Sequence, residues 1–154
     1  MIRSVVILML LGLSAFAQST ADPIIKVEVK DAIVKAGDIS TIKISVEVKD
    51  EYHIQANQVK DESLIPTKLE LSSTDKFIIK GIKYPSPKKF KLEGADTYLD
   101  VLDGKFEIRT FVNSQKQLPK GIYILNAKLS YQACNSKQCL FPRSVEFPIK
   151  IEVR

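Results

Sequence analysis

From Ile25 onward the chain alternates apolar and polar residues with a period of two. Ile25, Val27 and Val29 alternate with Lys26, Glu28 and Lys30, and Ile42, Ile44, Val46 and Val48 with Lys43, Ser45, Glu47 and Lys49. Shorter runs follow at Leu69–Leu71 and Phe106–Arg109. Two long ones close the chain, with apolar positions Leu125, Ala127, Leu129, Tyr131 and Ala133, then Val145, Phe147, Ile149, Ile151 and Val153. Successive side chains of a strand point to opposite faces, so this pattern marks half-buried antiparallel strands. Breakers separate the runs at Ala36-Gly37-Asp38, Pro66, Pro85-Ser86-Pro87, Asp103-Gly104 and Pro119-Lys120-Gly121. No helical apolar stripe of useful length occurs. About seven to nine short strands at this spacing predict an all-β fold, an immunoglobulin-like antiparallel β-sandwich, with a barrel as the alternative. Pro148 lies on the polar side of the last run. Because proline cannot donate to a ladder, that strand is expected at an edge or with a bulge.

The stretches from Gln55 to Ile65 and from Pro85 to about Thr97 lack alternation and are expected as long loops, where sites on a sandwich usually sit. No repeat or linker marks a second domain. Residues 1–17, MIRSVVILMLLGLSAFA, have a different character. Arg3, the apolar stretch Val5–Leu13 and the small-x-small triplet Ala15-Phe16-Ala17 have the layout of a signal peptide, with Gln18 as the new N-terminus. A membrane anchor is the competing reading, but the apolar run is shorter than the roughly 20 residues a spanning helix needs. The expected mature domain is 18–154, exported to the periplasm or beyond and soluble after cleavage. Cleavage keeps 137 of the 154 residues and lowers the net charge from +5 to +4, since Arg3 is the only charge removed.

Composition narrows the chemistry. The chain is 45% hydrophobic and 27% charged, which argues against bulk disorder. One His and two Cys cannot complete a four-ligand zinc site without carboxylates, and two methionines, Met1 and Met9, make no Met-rich copper site. Phosphate-cradling glycine motifs are missing. Lysine and glutamate are interspersed without a basic block or an Arg/aromatic stripe, so the charge describes a solvated surface rather than a nucleic-acid interface. No cofactor is expected.

Cys134 and Cys139 remain, separated by Asn135-Ser136-Lys137-Gln138. A four-residue loop makes a hairpin connection, which sets the flanking residues opposite each other, with Cα atoms about 5.5 Å apart and within disulfide range. In an exported protein such a bond persists. Stability is a weak reason for it. Closing a loop of about six residues is worth roughly 2 kcal/mol, against about 4.7 for a loop of 100, and the hairpin already joins these neighbours. Cys134 continues the polar parity of Lys128, Ser130 and Gln132, so its sulfur is expected near solvent, open to a foreign thiolate. Lys137 is placed to lower a neighbouring thiol's pKa modestly. An inert local staple and a zinc site are the competing readings. His53, the only histidine, would serve a cysteine nucleophile only in a protease-like arrangement, which the spacing does not support. Tyr84, Phe90, Tyr98, Phe106, Tyr123 and Tyr131 fall at strand spacing and are expected mostly in the core.

The segment Leu129-Ser130-Tyr131-Gln132-Ala133-Cys134, through Cys139-Leu140-Phe141-Pro142 to Val145-Glu146-Phe147-Pro148-Ile149, resembles the N-terminal periplasmic domain of the thiol:disulfide interchange protein DsbD. Tyr52-His53-Ile54-Gln55-Ala56-Asn57 with Ile65-Pro66-Thr67-Lys68-Leu69 is similar to that family more weakly. The resemblance implies an immunoglobulin-like domain whose hairpin cysteines cycle between dithiol and disulfide. Its activity would be thiol:disulfide exchange, an oxidoreductase-type electron transfer rather than hydrolysis or group transfer. It implies thioredoxin-fold exported proteins as partners, with Cys139 forming the mixed disulfide and Cys134 resolving it. Family members continue into a membrane-spanning electron conduit and a thioredoxin-like domain. This chain ends at Arg154, so a stand-alone version served by a separate membrane electron donor is expected. The family's aromatic cap over the disulfide has no phenylalanine in register between Leu92 and Tyr98, which leaves Phe90 and Tyr98 as aromatic candidates. The loop between the cysteines is one residue shorter than in the best-known members. The alternative from a different class is an exported, non-redox immunoglobulin-like binding module with a structural hairpin disulfide.

Overall fold

A computed structural model describes residues 20–72 and 74–154, with Thr20 and Ala21 as backbone only; the expected signal peptide lies outside the described residues. Those residues form thirteen strands and no helix. The strands are β1 (Thr20–Ala21), β2 (Ile25–Val29), β3 (Ala32–Val34), β4 (Ile39–Val48), β5 (His53–Gln55), β6 (Lys68–Leu71), β7 (Phe77–Lys83), β8 (Lys88–Phe90), β9 (Leu99–Leu102), β10 (Lys105–Ser114), β11 (Gly121–Tyr131), β12 (Ala133–Cys134) and β13 (Arg143–Val153). Sheets run β1-β2-β4-β10-β7, β3-β13-β11-β6 and β12-β5-β9-β8. The long alternating runs are β4, β11 and β13. The count exceeds seven to nine because two- to four-residue pieces form around them: β1, β3, β5, β8 and β12 are too short to carry a periodic signal.

Each sheet order has two free ends, so the fold is the immunoglobulin-like sandwich and not a closed barrel. Alternation builds the core. On β4, Ile42, Ile44, Val46 and Val48 are buried while Lys43, Ser45 and Glu47 are exposed. Leu125, Ala127, Leu129 and Tyr131 of β11 and Val145, Phe147, Ile149, Ile151 and Val153 of β13 join the same apolar cluster. Three features differ from expectation. One pair, β3 with β13, is parallel, because the chain crosses from one sheet to another between β2 and β3. The Lys-rich stretch after Pro85 is not all loop, since Lys88–Phe90 pairs with β9. Finally, Pro148 sits in a strand flanked by two others, not at an edge. Its partner on the far side, β3, reaches only Ile151–Val153, so Pro148 is ladder-paired to β11 alone. That local edge is what proline requires.

Tyr131 is fully buried at the end of β11, and its hydroxyl donates to Asp22 Oδ1 at 2.6 Å. The same oxygen accepts Ile24 N–H at 2.8 Å, and Arg143 lies 3.6 Å from the other carboxylate oxygen. Burial, then the hydrogen bond to Asp22 and its negative charge, hold the Tyr131 phenol well above its ordinary value. Tyr84 is also raised, mainly by burial, although the Leu69 N–H donated to its oxygen opposes this. In the folded chain both phenols hold their protons more tightly than in the unfolded one, Tyr131 far more so. Above the ordinary tyrosine value of about 10 the unfolded chain gives up these protons before the folded chain does, so stability falls as pH rises. An ultraviolet titration of phenolate is therefore expected to show Tyr131 ionising together with loss of the β-sheet circular dichroism. Smooth ionisation of every tyrosine in a chain that stays folded would contradict this.

Candidate redox site

β12 and β5 carry the site. They pair antiparallel, Ala133 with Ile54 and Cys134 with His53, and β5 pairs on its other side with β9. After Cys134 the chain turns back, and Cys139 forms an isolated antiparallel bridge opposite it. Leu140 N–H donates to Ala133 O at 2.7 Å, and Asn135 N–H to Gln138 O at 3.0 Å. The cysteines therefore occupy a non-hydrogen-bonded pair, the closer of the two antiparallel positions. Their Cα atoms are 3.9 Å apart rather than about 5.5, and the sulfurs are bonded at 2.04 Å. Asn135 Oδ1 accepts both Lys137 N–H and Gln138 N–H at 2.9 Å, which folds the turn on itself.

The two sulfur-bearing residues are not equivalent. Cys134 is completely buried, contrary to its expected place near solvent, and Cys139 is half-buried. The parity fails because the strand does not run through: β11 ends at Tyr131, Gln132 is in no ladder, and β12 joins a different sheet. One residue spent on that corner moves Cys134 to the inner side, so Ala133 and Cys134 are buried in succession. Gln132 stabilises the corner. Its Oε1 accepts Ile65 N–H at 2.8 Å, its Nε2 donates to Leu140 O at 3.0 Å, and its backbone O accepts Gln55 N–H at 2.9 Å.

Gln55 is the residue that strand patterning missed. It falls at the edge of a stretch expected as loop, yet it is fully buried and its Nε2 lies 3.0 Å from Cys134 Sγ and 3.7 Å from Cys139 Sγ. The signal available in the sequence was the run Tyr52-His53-Ile54-Gln55-Ala56-Asn57, which carried the weaker part of the resemblance.

His53 makes no sulfur contact among those the structure gives. Its ring packs on Phe90 with centroids 3.9 Å apart, and Nδ1 is 3.5 Å from Asp103 Oδ2. Asp103 also pairs with Lys88. Phe90 thus lies one residue removed from the disulfide, against the strand partner of Cys134. Tyr98 is not a core residue: it is 60% exposed, with the Lys91 ammonium 5.7 Å from its ring centroid. The β8–β9 loop still reaches the cysteine turn through Glu93 N–H, which donates to Ser136 O at 2.8 Å. Lys89 hydrogen-bonds Asp100 and holds its carboxyl below the usual carboxylate range. Phe141, two residues after Cys139, is 92% exposed. Among the described residues no three His, Cys, Asp or Glu side chains cluster as a metal site would require, and no helix is long and apolar enough to cross a membrane.

The fold and site define an all-β sandwich domain with a disulfide at the tip of a hairpin, one cysteine buried and the other half-buried. Residues 21–150 match the family described as thiol:disulfide interchange protein DsbD, N-terminal, and the chain belongs to that family. It is a thiol:disulfide interchange domain whose cysteines form a pair. Among solved structures, the N-terminal periplasmic domain of ScsB from Proteus mirabilis aligns over 90% of this chain at 13% identity with a TM-score of 0.60. This chain spans 50% of that structure's length, and the likeness is one of fold. The DsbD N-terminal domain of Neisseria meningitidis in the reduced form aligns over 76% of this chain and 82% of its own, at 14% identity and a TM-score of 0.46. No curated protein matches the chain in sequence.

Proposed function

We propose that this chain is a periplasmic carrier of reducing equivalents, whose Cys134/Cys139 pair cycles between disulfide and dithiol in exchange with thioredoxin-fold proteins. The observation that carries this is the asymmetry of the hairpin bond. Exchange proceeds by attack of a thiolate on one disulfide sulfur, so it needs one accessible sulfur and one that departs. Cys139 is half-buried at the turn and Cys134 is buried behind it. Cys139 therefore forms the mixed disulfide, and Cys134 resolves it. The exposed Phe141 gives an incoming domain an apolar contact beside the attacked sulfur. Residues 1–17 act as the export signal, and a separate membrane protein supplies electrons. The same bond is a poor stabiliser, since it closes a separation of only 5 residues within a hairpin already held by backbone hydrogen bonds.

The test is a transfer assay. The oxidised domain is mixed with a reduced thioredoxin-fold protein, and free thiols are counted by alkylation and mass. The expected product is domain alkylated at both Cys134 and Cys139, matched by loss of the partner's dithiol. No transfer, together with a reduction potential below about −300 mV, would identify a structural bond and leave the non-redox binding module as the better reading.

A further inference from the structure

Resting on the carrier reading, we propose that Gln55 belongs to the exchange machinery: its side-chain amide holds the thiolate that forms on Cys134 when a partner attacks Cys139. Gln55 is 0% exposed, and its chain neighbours Ile54 and Ala56, with Ala133 paired to Ile54, are buried and apolar. Burying an amide costs free energy unless it is hydrogen-bonded, and a neutral disulfide sulfur is a weak acceptor. Among the described residues Oε1 has no hydrogen-bond partner. In the oxidised domain, then, this side chain recovers little for its burial. What it offers is a donor, 3.0 Å from Cys134 Sγ and 3.7 Å from Cys139 Sγ. A donor to an ionised acceptor is roughly twice as strong as one to a neutral acceptor. The amide is also held in place. Gln55 N–H donates to Gln132 O at 2.9 Å, its carbonyl accepts the Thr67 hydroxyl, and β5 is paired on both sides.

The chemistry balances as follows. A partner thiolate attacks Cys139 Sγ, a new S–S bond joins the partner to Cys139, and the Cys134–Cys139 bond breaks. Its electron pair ends on Cys134 Sγ as a thiolate, facing Gln55 Nε2. The partner's second thiolate then attacks the partner sulfur of the mixed disulfide and releases Cys139 as a thiolate. The partner leaves as a disulfide, two electrons poorer, and the domain's two thiolates take up the two protons the partner dithiol lost. Run backwards, the Cys134 thiolate attacks Cys139. A leaving thiol of lower pKa leaves faster, so the amide lowers the barrier in the first step. Other titratable side chains on neighbouring elements are His53 opposite Cys134 on β5, the pairs Lys88–Asp103 and Lys89–Asp100 beside β9, Glu93 in the β8–β9 loop, and Lys137 in the turn. The two aspartates are engaged by lysines, and among the described residues it is the Gln55 side chain that hydrogen-bonds the sulfurs.

The experiment uses the Cys139→Ser chain, whose lone thiol is Cys134, and follows thiolate absorbance near 240 nm against pH. Adding Gln55→Leu or Gln55→Met is expected to raise the Cys134 pKa by about one unit, the worth of one hydrogen bond to a charged group. In the chain with both cysteines, the same substitutions are expected to slow reduction by dithiothreitol about three- to tenfold. A merely structural Gln55 would lower the melting temperature and leave the thiol titration and the reduction rate unmoved, and that result would overturn the proposal. If neither variant folds, the reduced wild-type chain decides. Its Gln55 side-chain amide resonance, followed by 15N NMR, is expected to shift in step with Cys134 ionisation, and an amide insensitive to that step overturns the proposal. No protein partner enters these measurements. Failed transfer to thioredoxin-fold proteins with a normal Gln55 effect would therefore sink only the carrier reading.

Discussion

The Cys134→Ser chain is expected to capture a thioredoxin-fold partner as a stable mixed disulfide through Cys139, and the Cys139→Ser chain to capture almost none. This asymmetry is the largest effect expected from any pair of substitutions here. Either change stops two-electron transfer altogether, because a single sulfur can form a mixed disulfide but cannot resolve it. The two differ in access. Cys139 lies at the turn, partly open, whereas Cys134 of β12 is fully buried, with Gln55 of β5 beside it. A partner reaches Cys134 only after local opening. An opening cost of about 3 kcal/mol lowers its trapping rate by about 100-fold relative to Cys139. The measurement is the rate of mixed-disulfide formation with an activated single-Cys partner, read on a non-reducing gel. Equal rates for the two variants would show that burial does not direct the attack. A faster rate for Cys139→Ser would reverse the roles assigned to the two sulfurs.

Leu129→Ala is expected to destabilise the domain by about 2 to 5 kcal/mol, enough to remove much of the 5–15 kcal/mol typical of a folded domain. Leu129 is fully buried in the second half of β11, opposite Val145 of β13 on one side and Leu69 of β6 on the other. All three belong to one apolar cluster. Truncation removes transfer free energy and leaves a void that two paired strands prevent from collapsing. Ile122→Ala on the same strand is the control. Ile122 is 64% exposed, so its loss is expected to stay within about 0.5 kcal/mol. Urea unfolding followed by circular dichroism checks both. A loss below about 1 kcal/mol for Leu129→Ala would mean that this region of the sandwich repacks freely.

Much of the sandwich was legible because its longest strands are one-sided. Ile42 to Val48, Leu125 to Tyr131 and Val145 to Val153 each place one apolar set inside, as their alternation demands. The short strands were not legible. Three residues such as Lys88–Phe90 become a strand because Leu99–Val101 offers them a partner, and no local signal encodes that. The cysteine pairing was legible from a spacing that suits a hairpin. The placement of the sulfurs was not, because it turns on the corner at Gln132.

By itself, the order of residues determined an all-β fold and a hairpin bringing Cys134 against Cys139, since a period of two and a short polar turn act through neighbours in the chain; the open sheet ends that make it a sandwich came from the tertiary structure. Tertiary structure alone decided which sulfur faces solvent and which side chain meets them. Gln55 and Cys134 are 79 positions apart and touch only because β5 and β12 share a sheet. Strand pairing at that distance is selected by the packing of the whole core, and no local pattern records it.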